Sequence, residues 1–137
     1  MKLSITSNVP VVRQGLENLN KAMPTIGRRR MYDMMNRITR KMEEYPAERP
    51  GQTYVRTGKL YGGWGVTKLD EGYRVYNNVK YTKWVVGNAY GQSQAWMHKG
   101  RWQVFRDVVD AETEKLPEEI RDEINTVARR NNIKVTK

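Results

Sequence analysis

A chain of 137 residues with 38% hydrophobic and 29% charged side chains fits one folded domain with a modest core and argues against disorder. Cysteine is absent, which excludes disulfides, thiolate zinc sites and cysteine nucleophiles. The formal charge is +10 and uneven: residues 107–137 carry eight acidic and six basic side chains, so the excess sits in the first 106 residues.

Met1-Lys2-Leu3 opens no apolar run of signal-peptide or membrane-span type, and a cytosolic setting is expected. Lys2–Thr6 alternates, with Leu3 and Ile5 to one side, and predicts a short edge strand. Asn8 can cap a helix that holds Pro10 in its first turn, where the N–H has no intrahelical partner to lose. Val12, Leu16, Leu19 and Met23 follow at helical spacing and predict one apolar stripe. Pro24 predicts a break there, because proline removes a ladder bond and crowds the preceding turn.

A second helix carries Met31, Met34, Met35, Ile38 and Met42 on one face, with Arg37, Arg40 and Lys41 elsewhere around the wheel. Such a stripe can line an adaptable groove, but core packing is the simpler reading. Arg28-Arg29-Arg30 opens this helix, where like positive charges oppose the macrodipole. The run reads either as a solvated turn or as a phosphate-contacting cluster. Pro46 ends the helix by Tyr45, and Pro46–Gln52 is a loop.

The centre is different in kind. Eleven of the thirteen aromatic residues and eight of the eleven glycines lie in residues 54–105. Trp64–Leu69 and Tyr73–Tyr76 predict paired strands joined by Asp70-Glu71-Gly72. Lys80–Val86 predicts a short helix with Tyr81, Trp84 and Val85 on one face. Gly87–Gln94 reads as a mobile loop, and Ala95–Trp102 as a third strand or an ordered arm.

The end is helical again. Val104, Val108 and Val109 form one apolar set, Glu112 and Glu114 continue the polar side, and Pro117 starts a further helix with Glu118 and Glu119 in its first turn. Ile120, Ile124, Val127 and Ala128 face its core side, Asn131-Asn132 ends it, and residues 133–137 form a basic tail. The whole is expected to be one domain over residues 1–137: a helical part over 1–45, the aromatic-rich sheet and arm over 54–105, and C-terminal helices over 106–132. Its fold class is α+β, with a small antiparallel sheet of about three to four strands from the central region packed against the N- and C-terminal helices. The few apolar residues favour an elongated molecule or a core completed by neighbouring subunits.

Catalytic signals are weak. His98 lies near Tyr90, Lys99, Arg101 and Trp102 in sequence, and a basic ribonuclease could use it as a general base. It has no second acid–base group at a diagnostic spacing, so a structural or interfacial histidine is favoured. One histidine is too few for a typical histidine-based metal site. Gly62-Gly63-Trp64-Gly65 lacks the lysine and hydroxyl of a P-loop and marks instead a strand start with close backbone approach. Aromatics interleaved with Arg56, Lys59, Arg74, Lys80, Lys83, Lys99 and Arg101 could stack on bases and meet phosphates, without a recognised reader motif.

Tyr54-Val55-Arg56-Thr57-Gly58-Lys59-Leu60 is followed by a Trp64-bearing strand, Asn77-Asn78 with Tyr81, Gly87, and His98-Lys99-Gly100-Arg101-Trp102. This order resembles small neck or tail-completion proteins of long-tailed bacteriophages. In that family an Arg-Thr-Gly-basic-Leu segment precedes a hairpin, and Asn-Asn-x-x-Tyr, glycine and His-x-Gly-Arg-Trp-like segments follow. The likeness covers about residues 54–105, and the flanks match in organisation only.

The resemblance implies an α+β ring protein of the virion at the junction of the DNA-filled head and the tail, assembled in the host cytoplasm. It implies no catalytic residues, no cofactor, no metal and no membrane contact. Its partners would be copies of itself, other neck, connector and tail proteins, and non-specifically the genomic DNA in the channel. Arg28, Arg29, Arg30, Lys80 and Lys83 are the candidates to face that DNA. Tyr90, Trp96, His98, Arg101 and Trp102 are the candidates for an interface arm. Tail-terminator rings use similar small α+β domains and stay open as an alternative. A small basic nucleic-acid-binding protein or ribonuclease is the alternative of another class.

Overall fold

The computed structural model describes residues 9–53 and 55–134. The predicted Lys2–Thr6 strand, the Asn8 cap, Tyr54 and residues 135–137 of the basic tail lie outside them. The element order is α1 (Val9–Glu43), α2 (Lys59–Gly62), β1 (Trp64–Leu69), β2 (Gly72–Asn77), α3 (Thr82–Val86), a 3₁₀ turn (Trp96–His98), α4 (Phe105–Thr113) and α5 (Leu116–Arg130). The class is α+β, with helices at both ends and a two-stranded antiparallel sheet. The chain divides into two compact units: residues up to 32 with residues from 115 on, and residues 33–114.

Two expectations about α1 need correction. The helix does not break at Pro24, which lies inside its 35 residues. Leu19 and Ile26 are buried on either side of the proline, seven residues apart and so on one stripe. Burying two such side chains yields about 1.5–3 kcal/mol each, which offsets the roughly 3 kcal/mol that an interior proline costs. Met23, expected in the stripe, is 45% exposed. Ile26 takes the inward position instead.

In the first unit, Leu19, Ala128 and Ile133 form a buried cluster flanked by Leu16, Ile124 and Val127. Pro117 stands in the first turn of α5 with Glu118 and Glu119, where proline and negative charge are both favoured. The other end of α5 closes with Asn132 in the left-handed region at φ 57°. The Ile133 N–H donates to the Ala128 carbonyl at 2.9 Å and the Asn132 N–H to the Arg129 carbonyl at 3.1 Å. That is the Schellman pattern, and its usual apolar contact is the Ile133–Ala128 packing. Gly15 of α1 is buried against this terminus. A Cβ there would stand 2.7 Å from the Asn131 carbonyl oxygen.

In the second unit, β1 and β2 pair from Trp64↔Asn77 to Leu69↔Gly72. Gly65 lies opposite Tyr76 and under its ring, where a Cβ would approach within 2.8 Å. Trp64 stacks on Phe105 of α4, with centroids 5.6 Å apart. Asn77 clasps the base of the hairpin. Its Nδ2 donates to the Leu60 carbonyl, while its Oδ1 accepts from the Val79 N–H and the Thr82 hydroxyl, all at 2.9 Å. Gly63 is the close-approach glycine, because a Cβ would meet that Asn77 oxygen at 2.6 Å. Met34, Ile38, Met42, Leu60, Val85, Val86 and Val108 are buried, so the methionine stripe is core.

The sheet has two strands, where about three to four were expected. Ala95–Trp102 folds as the 3₁₀ turn because local bonds satisfy its backbone. The His98 N–H donates to Ala95 at 2.9 Å, and the Arg101 and Trp102 N–H groups donate to the His98 carbonyl. Gly100, at φ 72°, permits the reversal. The short helix α3 differs from expectation in its face: Val85 and Val86 are buried, but Tyr81 and Trp84 stay exposed, and Lys83 Nζ lies 4.9 Å from the Trp84 ring centre.

Candidate functional site

The residues with most chemistry gather in the second unit, where the chain leaving α1 meets the 3₁₀ turn. Tyr45, just past the end of α1, packs edge-on against Trp102 with centroids 5.0 Å apart. The Arg56 guanidinium lies over both rings, 5.4 Å from Tyr45 and 5.8 Å from Trp102. It also donates to the Pro46 carbonyl at 2.6 Å and to the Ala47 carbonyl at 3.4 Å. The Arg101 guanidinium donates to the same Ala47 oxygen at 2.8 Å. Arg49 reaches the other way, to the Met97 carbonyl at 3.0 Å. Three guanidinium groups are thus held by main-chain carbonyls at one place.

His98 sits edge-on to Trp102 at 6.0 Å. Its pKa is lowered, first by burial and then by the positive charges of Arg101 and Arg49. Arg101 is lowered too, by desolvation and then by Arg49 and Arg56. For a base favoured in its neutral form by the fold, the unfolded chain binds the proton more readily. The histidine's contribution to stability is therefore complete above its ordinary value of 6.5. It declines as pH falls through that value towards the lower folded one, and levels off below it. Thermal unfolding of the wild type between pH 5 and 7.5 is expected to show this decline, and His98→Gln is expected to reduce it. A wild type and variant with the same pH slope would mean that His98 does not feel Arg49 and Arg101.

The other arm candidates are exposed. Tyr90 and Trp96 are each 80% accessible, and Met97 is exposed beside Trp96. The Gly87–Gln94 segment is an irregular connection closed on itself. Asn88 Oδ1 accepts from the Tyr90 and Gln92 N–H groups, and the Asn88 N–H donates to the Gln92 carbonyl at 2.7 Å. Gln94 Nε2 bridges the Val85 and Trp102 carbonyls. The structure therefore joins Trp102, His98 and Arg101 in one cluster, and leaves Tyr90 and Trp96 presented outward on an ordered frame.

The candidate phosphate contacts are divided between the two units. Arg29 and Arg30 both engage Glu123 of α5 within the first unit, while Arg28 is exposed. Lys80 and Lys83 belong to the second unit, on the rim of an open groove of about 390 Å³ between β2, α3 and the start of α4. Trp64, Val75, Val86 and Phe105 supply its apolar lining.

Sequence reading missed Arg49 altogether and gave Arg56 no role in the cluster. Only its place between Tyr45 and Trp102, forty-six residues from the latter, shows what Arg56 does. It also put Glu112 on the polar side of its helix and missed Glu123, and both carboxylates are buried. Glu112 is 0% exposed and receives Arg37 Nε at 2.8 Å and Lys41 Nζ at 2.7 Å. Glu123 is its counterpart in the first unit. Their helical phase was available: Glu112 stands four residues after the inward Val108. Among the described residues no group of three His, Asp or Glu side chains could hold a metal ion, and no helix is long and apolar enough to cross a membrane. Comparison with known proteins finds no matching family model, no matching curated protein and no matching solved structure.

Proposed function

We propose that this chain is a structural protein of a tailed phage, forming a ring at the neck or tail-completion position between head and tail, with no catalytic role. The motif order over residues 54–105 suggests the reading. The observation that carries it is the exposure of Trp84, Tyr90 and Trp96 on the second unit. The hydrogen bonds of Asn88 and Gln94 hold the last two on a fixed frame, so their exposure is a property of the fold. Aromatic side chains of this size are the usual anchors of protein interfaces, and a small unit that exposes three of them suits burial against neighbouring subunits. Glu112, Glu123 and Asp110 are engaged within the chain, the last with Arg106. The exposed Asp107, Glu114, Glu118 and Asp122 remain for contact with a basic neighbour.

Disrupting the gene in the phage is expected to leave DNA-filled heads and separate or abnormal tails, seen by electron microscopy of lysates. Tail length separates the two ring positions: tails of normal length favour completion, and tails of irregular length favour a terminator. Normal virions in normal number would sink the neck reading. A second reading, a basic nuclease, draws on the two arginines beside His98. It requires RNA cleavage that His98→Ala abolishes with the fold intact, whereas the structural reading expects no cleavage in the wild type.

A further inference from the structure

We propose that Arg49, Arg56 and Arg101 form a binding site for the phosphodiester backbone of nucleic acid, bordered by Trp96 and Met97. This goes beyond the neck reading and is tested apart from it, on what the purified chain binds; it assigns Trp96 to nucleic acid and leaves Trp84 and Tyr90 as the interface anchors.

The argument begins with like charges held together. The Ala47 carbonyl oxygen accepts from both Arg56 and Arg101, so two guanidinium groups converge on one atom. Arg49 is drawn to the same region by the Met97 carbonyl. Its charge is felt at both His98 and Arg101. Like charges repel, and a protein that gathers them with carbonyl struts keeps a field that an anion can relieve. Among the described residues the one carboxylate paired with these arginines is Glu48, 4.0 Å from Arg56 Nε and largely exposed. The positive charge of the cluster is thus not neutralised from within. Glu112 and Glu123 make the contrast, each neutralising two cations of α1.

Donor geometry points the same way. A guanidinium carries five N–H donors. Arg49 and Arg101 each commit one of theirs to a carbonyl. The rest form the planar fork that matches phosphate oxygens. Arg56 is the fixed member, wedged over two aromatic rings, and Arg49 and Arg101 are the arms. Nucleic acid is favoured over an acidic protein segment by the neighbours. Trp96, 80% exposed, follows Ala95 directly into the 3₁₀ turn that carries His98, and Met97 is exposed next to it. An indole presented beside arginines is the pairing used to stack on bases while phosphates are held. This cluster also differs from the residues that sequence alone put forward, because Arg29 and Arg30 already hold Glu123.

The test is fluorescence anisotropy of a labelled random-sequence DNA duplex with the purified full chain over a salt series. Arg49→Gln with Arg101→Gln is expected to weaken binding roughly tenfold or more near 0.1 M salt, and to lower the log–log salt slope by about 2. Lys21→Gln with Lys68→Gln, both exposed, removes the same charge elsewhere and is expected to leave the slope unchanged. Equal losses in the two double variants, or no loss in the first, would overturn the site. Displacement of the duplex by polyglutamate at lower charge concentration than by competitor DNA would also overturn it, in favour of an acidic protein partner. A measurement on the wild type covers a variant that fails to fold: titration with inorganic phosphate is expected to shift the Nε–H resonances of Arg49, Arg56 and Arg101 and not that of the exposed Arg121. Absence of those shifts would count equally against the proposal.

Discussion

Glu112→Ala is expected to lower the unfolding free energy by about 3 kcal/mol, the lower end of the range for breaking a buried ion pair. The carboxylate is fully buried, with Arg37 on one oxygen and Lys41 on the other. Its removal leaves two cations of α1 without their shared anion and opens a cavity between α1 and α4. The effect is held to the lower end because the arginine and lysine side chains are themselves one-third exposed or more and can recover some hydration. Glu112→Gln keeps the shape while losing the charge, and should cost less than the alanine variant. Denaturant unfolding of the three proteins measures this. A loss below about 1 kcal/mol for Glu112→Ala, as for an ordinary surface pair, would mean that the carboxylate is not held as described.

The second large effect sets one substitution against itself at two places in one helix. Gly15→Ala is expected to destabilise by roughly 2 kcal/mol, and Gly27→Ala to stabilise by about 1 kcal/mol. Alanine is the better helix former at both sites by about 1 kcal/mol. At Gly27 nothing stands within 4 Å of the new methyl group, so the gain is kept. At Gly15 the methyl would meet the Asn131 carbonyl at 2.7 Å and the Ile133 side chain at 3.4 Å. That oxygen belongs to a backbone already fixed by the Schellman closure of α5 and cannot swing aside as a side chain would. Overpacking of this kind costs about 1–3 kcal/mol, and the upper end, set by a backbone oxygen that cannot yield, leaves roughly 2 kcal/mol after the helix-propensity gain. Melting temperatures moving in the same direction for both variants would show that the contact between α1 and the end of α5 is not tight.

The candidate site was legible only in pieces. Trp102, His98 and Arg101 stand out because they are close in sequence, in a segment dense with aromatics. Arg49 and Arg56 did not, because what they contribute depends on Ala47 and Met97 carbonyls that no side-chain pattern announces. The Arg28–Arg30 run was visible as charge, but Glu123, which takes up two of the three, lies more than ninety residues further on.

Local chemistry by itself determined the parts whose causes are local. Asp70-Glu71-Gly72 set the hairpin, Pro46 ended α1, Pro117 placed the start of α5 and Asn131-Asn132 its end, because turns, caps and proline act within a few residues. The α+β class followed from the same signals. Tertiary structure alone decided that α1 runs through Pro24, since burial on both sides outweighs a local preference. It decided that Ala95–Trp102 turns back on itself, since its backbone groups find their partners within the turn and not at a strand edge. It also decided which charges are neutralised within the chain, because a long-range ion pair depends on distances that the order of residues does not contain.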